Sequence, residues 1–172
     1  MRALLRSRAF LRSPLAFGGC FHDLSRLDGN FHRWYVEPLI ADPARTERAL
    51  EFTLDWVKQR YAFNRPIGSF QALKHRLADH AAQLEGAKAA AAHAARSVQT
   101  SAPDAAIAVS VAKSHCGRFA TEIIRDCVQL HGGIGVTWEH DIHFYLRRAV
   151  SNEMLWGTPA DHHERLCRLA GL

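Results

Sequence analysis

Residues 105–135 read "AAIAVSVAKSHCGRFATEIIRDCVQLHGGIG", and the apolar positions in this stretch decide the fold. Val109, Ala112, Cys116, Phe119, Ile123, Cys127 and Leu130 alternate steps of three and four. That spacing puts them on one stripe of an α-helix and forms the heptad-like seam of a helical bundle. Gly132, Gly133 and Gly135 then end the pattern, and Trp138, Glu139 and the histidines His140 and His143 follow. Glycines beside a helix end serve either as a C-cap and tight turn or as a place where backbone must approach something closely, often a phosphate. Both readings stand on local grounds. The C-terminus of a helix presents carbonyls, so a phosphate would need amides from the loop or from the next helix start. "HGGIG" follows no strand and lacks the lysine and spacing of a P-loop, so neither dinucleotide signature applies.

Upstream, Asp42-Pro43 reads as an N-cap followed by proline at the first helical position. Leu50, Leu54, Val57 and Tyr61 then recur at helical spacing. "NRPIGS" (Asn64 to Ser69) breaks this helix, and Ser69 is placed to cap a second, long one. Its apolar face runs through Phe70, Leu73, Leu77, Ala81 and Leu84 into the alanine-rich "GAKAAAAHAARS". Alanine favours helix and lets neighbouring helices come close. At "QTSAPD", Ser101 and Asp104 are spaced as a capping box for the third helix. Downstream of the glycines, Ile142, Leu146 and Ala149 predict a fourth helix, and Gly157-Thr158-Pro159 leads into a short last one. No stretch alternates with period two. The predicted fold is all-α, an up-and-down four-helix bundle over residues 42–172 with a short extra C-terminal helix. Residues 1–41 form an irregular N-terminal segment with no sustained period.

With 48% hydrophobic and 23% charged residues, the 172-residue chain is composed like a soluble globular domain with a real core. No apolar run approaches the roughly 20 residues that cross a bilayer, which excludes a membrane-spanning helix. The formal charge of +5 is unevenly placed: Arg2, Arg6, Arg8 and Arg12 precede the first acid, Asp23. That start reads as an organelle-targeting peptide, or as a disordered or wrongly called start of translation. Elsewhere the charge is mixed, so the basicity does not point to nucleic acid. Cys20, Cys116, Cys127 and Cys167 form no C-x-x-C pair, and two lie on the seam. Reduced, buried thiols in a reducing compartment fit better than a disulfide framework. A bacterial cytoplasm is the expected location, or a mitochondrial matrix if the Arg-rich start is a targeting peptide.

Three segments taken together carry a resemblance. "QRYAFNRPIGSFQALKHRLAD" (Gln59 to Asp79), "VQLHGGIG" (Val128 to Gly135) and "RRAVSNEMLWGTP" (Arg147 to Pro159), in this order and spacing, resemble the C-terminal helical domain of the acyl-CoA dehydrogenases. The resemblance covers the chain from about Arg45 onward. "TWEHDIHFYLRRA" is similar to a subgroup handling branched acyl chains or steroid side chains. It implies a flavoprotein oxidoreductase of lipid oxidation, forming oligomers in which FAD lies across a subunit interface and the helical domain supplies part of its bed. The reaction implied is α,β-dehydrogenation of an acyl-CoA, with electrons passing to an electron-transfer flavoprotein. By position, Arg60 would pair with a pyrophosphate oxygen of the cofactor, a geometry that suits a guanidinium fork. Phe63 and Gln71 would flank the adenine end. Gln129, Gly132 and Gly133 would receive the ADP moiety of the partner's FAD, and Thr158 is carried over as a further cofactor contact. Without the resemblance, Arg60 reads as a surface salt bridge.

The sequence departs from the family pattern at several points. The family's glutamate before Gly-Thr, which removes the α-proton, is replaced by Trp156, and indole has no basic nitrogen. Glu153 lies one turn earlier, about 5 Å away along the axis, and is a weak candidate base. Members that carry the base before the arginine motif offer no help, because "HRWYVE" does not resemble them and Glu37 cannot be assigned. Asn64 replaces the usual glycine after Phe63. Residues 1–44 do not match the family's N-terminal helical and β-domains, so a subunit needing other chains is expected, or a catalytically silent partner of a full-length dehydrogenase, or a fragment. His140 with His143 and His162 with His163 could meet over a divalent metal, although solvated or capping histidines are commoner.

Overall fold

The computed structural model describes residues 37–171. Helix α1 spans Glu37–Gln59. A minimal antiparallel hairpin follows, β1 (Tyr61–Ala62) and β2 (Arg65–Pro66), with Tyr61 opposite Pro66 and Ala62 opposite Arg65. A 3-10 turn at Ile67–Ser69 leads into α2 (Gln71–Gln99), and α3 (Ala105–His131) returns beside it. A second 3-10 turn, Gly132–Val136, connects to α4 (Ile142–Met154), and α5 (Pro159–Leu169) ends the described chain. The predicted order of four main helices and a short last one is the order observed.

The seam of α3 is the axis of the bundle, touching α1, α2, α4 and α5. Val109, Ala112, Cys116, Ile123 and Cys127 are buried, and Phe119 and Leu130 pack partly buried beside them. The core divides along α3. Toward its C-terminus, Leu50, Val57, Leu77, Leu84, Ile123, Ile124 and Ile142 close one cluster. Toward its N-terminus, Ala87, Ala91 and Ala94 of α2 meet Ala108, Val109 and Ala112. There the small residues bring the helices so close that the Cys116 thiol donates to the Ala87 carbonyl at 3.4 Å.

Several local expectations are corrected by tertiary contacts. Asp42 is no N-cap: α1 begins at Glu37 and carries Pro43 inside it. Asp42 is instead buried, accepting a hydrogen bond from the Asn152 amide at the end of α4. Ser69 does not cap α2, because Phe70 holds the N-cap position and the Ser69 hydroxyl is buried without a partner among the described residues. The Ser101–Asp104 capping box is absent; Ser101 (φ 51°) turns the chain at the end of α2, and the Asp104 side chain makes no capping bond. A capping box forms instead at Thr158–Asp161. On α2 the buried stripe passes through His80 where Ala81 was expected, since Ala81 faces solvent. His80 Nε2 lies 2.8 Å from Asp126 Oδ2 on α3, a long-range pairing that no periodicity announces. Tyr61, expected on the α1 stripe, lies exposed in β1.

Candidate functional site

Helices α1 and α3 run the same way and α2 runs oppositely, so one end of the bundle collects the end of α1, the hairpin, the start of α2, the glycine turn and the start of α4. The Trp56 indole of α1 fixes this end by donating to the Leu130 carbonyl of α3 at 3.1 Å. Six of the expected cofactor residues, Arg60, Phe63, Gln71, Gln129, Gly132 and Gly133, lie here.

Arg60 continues the α1 hydrogen-bond pattern by one residue, its amide bonded to the Trp56 carbonyl at 2.8 Å, while its own carbonyl accepts from the Ile67 amide at 2.8 Å. Its backbone is thus pinned and its side chain is exposed, with no ion pair among the described residues. The salt-bridge reading of Arg60 therefore finds no partner there. Phe63 and Asn64 form the hairpin tip at φ 53° and 61°. Asparagine tolerates this left-handed backbone, so the departure from glycine at position 64 is absorbed; phenylalanine does not, and Phe63 is held strained. Its ring is 90% exposed, touching Phe70 edge-to-face at 6.3 Å. The Arg65 guanidinium covers Phe70 at 4.0 Å. Gln71 opens α2 and Gln129 sits on the last turn of α3, both exposed.

The three glycines separate by cause. Gly132 has φ 65°, which a side chain rarely adopts. A Cβ on Gly135 would lie 2.7 Å from the Val128 carbonyl oxygen, so internal packing demands glycine there. Gly133 has neither reason: its φ is not positive and a Cβ would meet nothing within 4 Å. A guanidinium that is exposed and without an ion pair among the described residues, an outward aromatic ring and bare backbone at Gly133 fit the approach of an anionic, aromatic ligand from outside the chain, as a dinucleotide would be.

Thr158 and Glu153 are not part of this group. They lie at the opposite end, where Asp42 meets Asn152, about 27 Å from Arg60 along α1. The Thr158 hydroxyl is engaged in the α5 cap, accepting from the Asp161 amide at 3.2 Å and donating to Asp161 Oδ2 at 2.8 Å. The Thr158 amide, which donates to the same Oδ2 at 2.7 Å, is the largest cause holding the Asp161 carboxyl below the usual carboxylate range, and the hydroxyl's bond to that oxygen adds to it. Trp156 has φ 66°; its side chain packs against the alanine cluster of α2 and α3, and its carbonyl lies 3.1 Å from His162 Nε2. Glu153 is half-buried beside it.

Sequence reading missed Lys113. It is buried, and its ammonium donates to the Asn152 carbonyl and, at 3.4 Å, to that of Glu153. Burial is the main cause lowering its pKa and raising that of Asp42. One lysine beside the seam position Ala112 gives no periodic signal of this role. The two histidine pairs do not meet: α4 holds them about 20 Å apart. Among the described residues no group of three or more histidine, cysteine or acidic side chains could hold a metal. No described helix is long and apolar enough to cross a membrane.

The family model for the acyl-CoA dehydrogenase C-terminal domain matches residues 39–168. Acyl-CoA dehydrogenase IpdE2 of Mycobacterium tuberculosis is 36% identical over 95% of this chain and 53% of its own length. Acyl-CoA dehydrogenase FadE34 of the same organism is 46% identical over 66% of this chain and 17% of its own. Among solved structures, the ChsE4–ChsE5 complex from Mycobacterium tuberculosis contains a similar chain: TM-score 0.71, 29% identity, over 80% of this chain and 37% of that one. The chain thus spans about half the length of IpdE2 and less of the others.

Proposed function

Because the chain belongs to the acyl-CoA dehydrogenase family, with residues 39–168 as its C-terminal helical domain, we propose that it supplies the ADP bed of an FAD site completed by another acyl-CoA dehydrogenase subunit. FAD is the family's cofactor, and when bound it supplies the electron acceptor for oxidation of the CH–CH group of an acyl-CoA. Arg60 binds a pyrophosphate oxygen through its guanidinium fork. Phe63 and Gln71 flank the adenine end. Gln129 and the backbone of Gly132 and Gly133 receive the ADP moiety of the partner's cofactor, and an electron-transfer flavoprotein takes the electrons onward. Thr158 contributes at the opposite end by shaping the turn after Trp156.

The carrying observation is Arg60: a guanidinium exposed on a pinned backbone, with no ion pair among the described residues and a strained, outward Phe63 beside it. Trp156 favours a second element of the reading. With indole at the family's base position and nothing basic on that ring, the α-proton must be taken by a group elsewhere. We assign that group to the partner subunit, which makes this chain the catalytically silent member of the pair. The relative in the ChsE4–ChsE5 complex supports pairing of two different chains.

Size-exclusion chromatography of the chain co-expressed with full-length dehydrogenases from the same source, with absorbance read through the peak, tests this. A co-eluting yellow complex is expected. Arg60→Ala should weaken its FAD affinity about ten- to hundredfold, as expected for a hydrogen bond to a charged group, while Glu153→Gln leaves FAD bound and turnover intact. Loss of turnover in Glu153→Gln with FAD retained would instead make Glu153 the base. A colourless chain with every partner would remove the cofactor role.

A further inference from the structure

The glycine turn is closed by a buried imidazole. His131, the last residue of α3, is 4% exposed. Its Nδ1 lies 2.8 Å from the Cys127 carbonyl oxygen. A carbonyl can only accept, so Nδ1 carries the proton and Nε2 bears a bare lone pair. That Nε2 is buried and has no hydrogen-bond partner among the described residues. The ring is stacked on Trp56 at 5.2 Å and 18°, and tilted against His140 at 4.5 Å. His140 is itself held, its Nδ1 accepting from the Ile142 amide at 3.1 Å, and so keeps its own proton on Nε2. A Cβ on Gly135 would lie 3.0 Å from His131 Cβ, so the turn folds directly against this side chain. One ring therefore joins the end of α1, the glycine turn and the approach to α4.

The geometry points to His131 as a pH-sensitive pin: neutral, it holds the Gly132–Val136 turn closed, and protonated, it releases it. A proton taken from solvent onto Nε2 makes an N–H donor that the closed arrangement leaves without an acceptor, and a buried unpaired donor with a charge is costly. The groups facing the ring offer no relief. From α1 comes the uncharged Trp56. From the loop comes His140, whose Nδ1 is already taken by the Ile142 amide, while the loop acids Glu139 and Asp141 are exposed. Burial, first among the causes, lowers the His131 pKa below its ordinary 6.5, and His140 adds to this against the bond to Cys127. A histidine with a depressed folded value contributes its stability fully above 6.5 and loses it as pH falls below that value. Mild acid thus opens the turn. Loss of the Gly132–Gly133 surface for a cofactor under those conditions rests on the proposed function; opening of the turn does not.

Hydrogen exchange of the amides from Gly133 to Thr137 in the full chain, without cofactor and corrected for intrinsic rates, tests the pin between pH 7.5 and 5.0. Protection is expected to be level down to the ordinary histidine range, then to fall by up to about tenfold per pH unit. His131→Phe keeps the stack on Trp56 and removes the titration, so its protection should not change with pH. A level wild-type profile, or the same fall in His131→Phe, overturns the pin. Should that variant not fold, the imidazole 15N signals of the wild type decide. The Nδ1–H form at pH 7.5, with protonation of His131 coinciding with loss of protection, upholds the pin; protonation without loss overturns it. Failure to bind FAD at pH 7.5 would strike the cofactor reading and leave the pin standing.

Discussion

Gly133 and Gly135 stand two positions apart in one motif and exist for different reasons. A methyl group at 135 would press on the Val128 carbonyl at 2.7 Å, whereas at 133 it would extend into open space. Gly135→Ala should therefore lower stability by about 1–3 kcal/mol through overpacking, a fall in Tm of roughly 2–4 °C per kcal/mol for a chain of this size. Gly133→Ala should leave Tm unchanged and weaken FAD binding in the assembled complex. Thermal melts of the two variants check the first pair of outcomes and a flavin titration the last; a large Tm drop in Gly133→Ala would mean that its glycine serves the fold after all. The motif was visible in the sequence, but the two causes were not, since they differ only in which backbone lies opposite each Cα.

Among the elements, α5 illustrates how a helix start is decided. Its first turn holds a reciprocal cap, with the Thr158 hydroxyl and the Asp161 carboxylate each serving the other's amide. Thr158→Ala should cost about 1 kcal/mol, the typical loss of an N-cap. Because the Asp161 carboxyl is held below its ordinary 3.8, the carboxylate's contribution to this cap is present above that value and lost as pH falls through the lowered one. Urea unfolding at pH 7 and at a pH below the lowered value should show the gap between the wild type and Thr158→Ala narrowing without closing, because the hydroxyl's bond to the Asp161 amide does not titrate while its bond to the carboxylate does; a gap that does not narrow would deny the carboxylate its part. At the start of α1 the same kind of signal misled. Asp42-Pro43 has the composition of a helix start, but burial against Asn152 extends the helix back to Glu37. Capping residues signal a start only where no other helix competes for their side chains.

At the scale of the whole molecule, α3 threads both core clusters, with Cys127 in one and Cys116 in the other. Burial pushes the Cys116 thiol up to about 12 and the Cys127 thiol up to about 11, so neither forms thiolate at neutral pH. Cys167, exposed on α5, should react at once with a thiol reagent. Cys116 and Cys127 should become reactive together and only at the denaturant concentration that unfolds the bundle. Pulse labelling read by mass spectrometry checks this, and labelling of Cys116 ahead of Cys127 would show the alanine-lined half opening on its own. The part-buried His80–Asp126 pair and the Lys113 contacts to α4 tie α3 to its neighbours on either side, which argues for one cooperative unit.

The number, order and approximate extent of the helices were determined by the sequence alone, because a seam with alternating three- and four-residue steps can be buried continuously only on a helix. The family motif and its candidate residues were legible for a related reason: Arg60, Phe63 and the glycines stand at fixed offsets within local turns. What only the tertiary structure decided was which of these residues share a place. It gathers six of them at one end of the bundle and puts Thr158 and Glu153 at the other, where Asn152 meets Asp42. It also decided the roles of Asp42, His80, Lys113 and His131. Each of these polar groups is satisfied, or left with one bare atom, by a partner from another segment or by its burial there, and periodicity carries no record of which helix lies opposite.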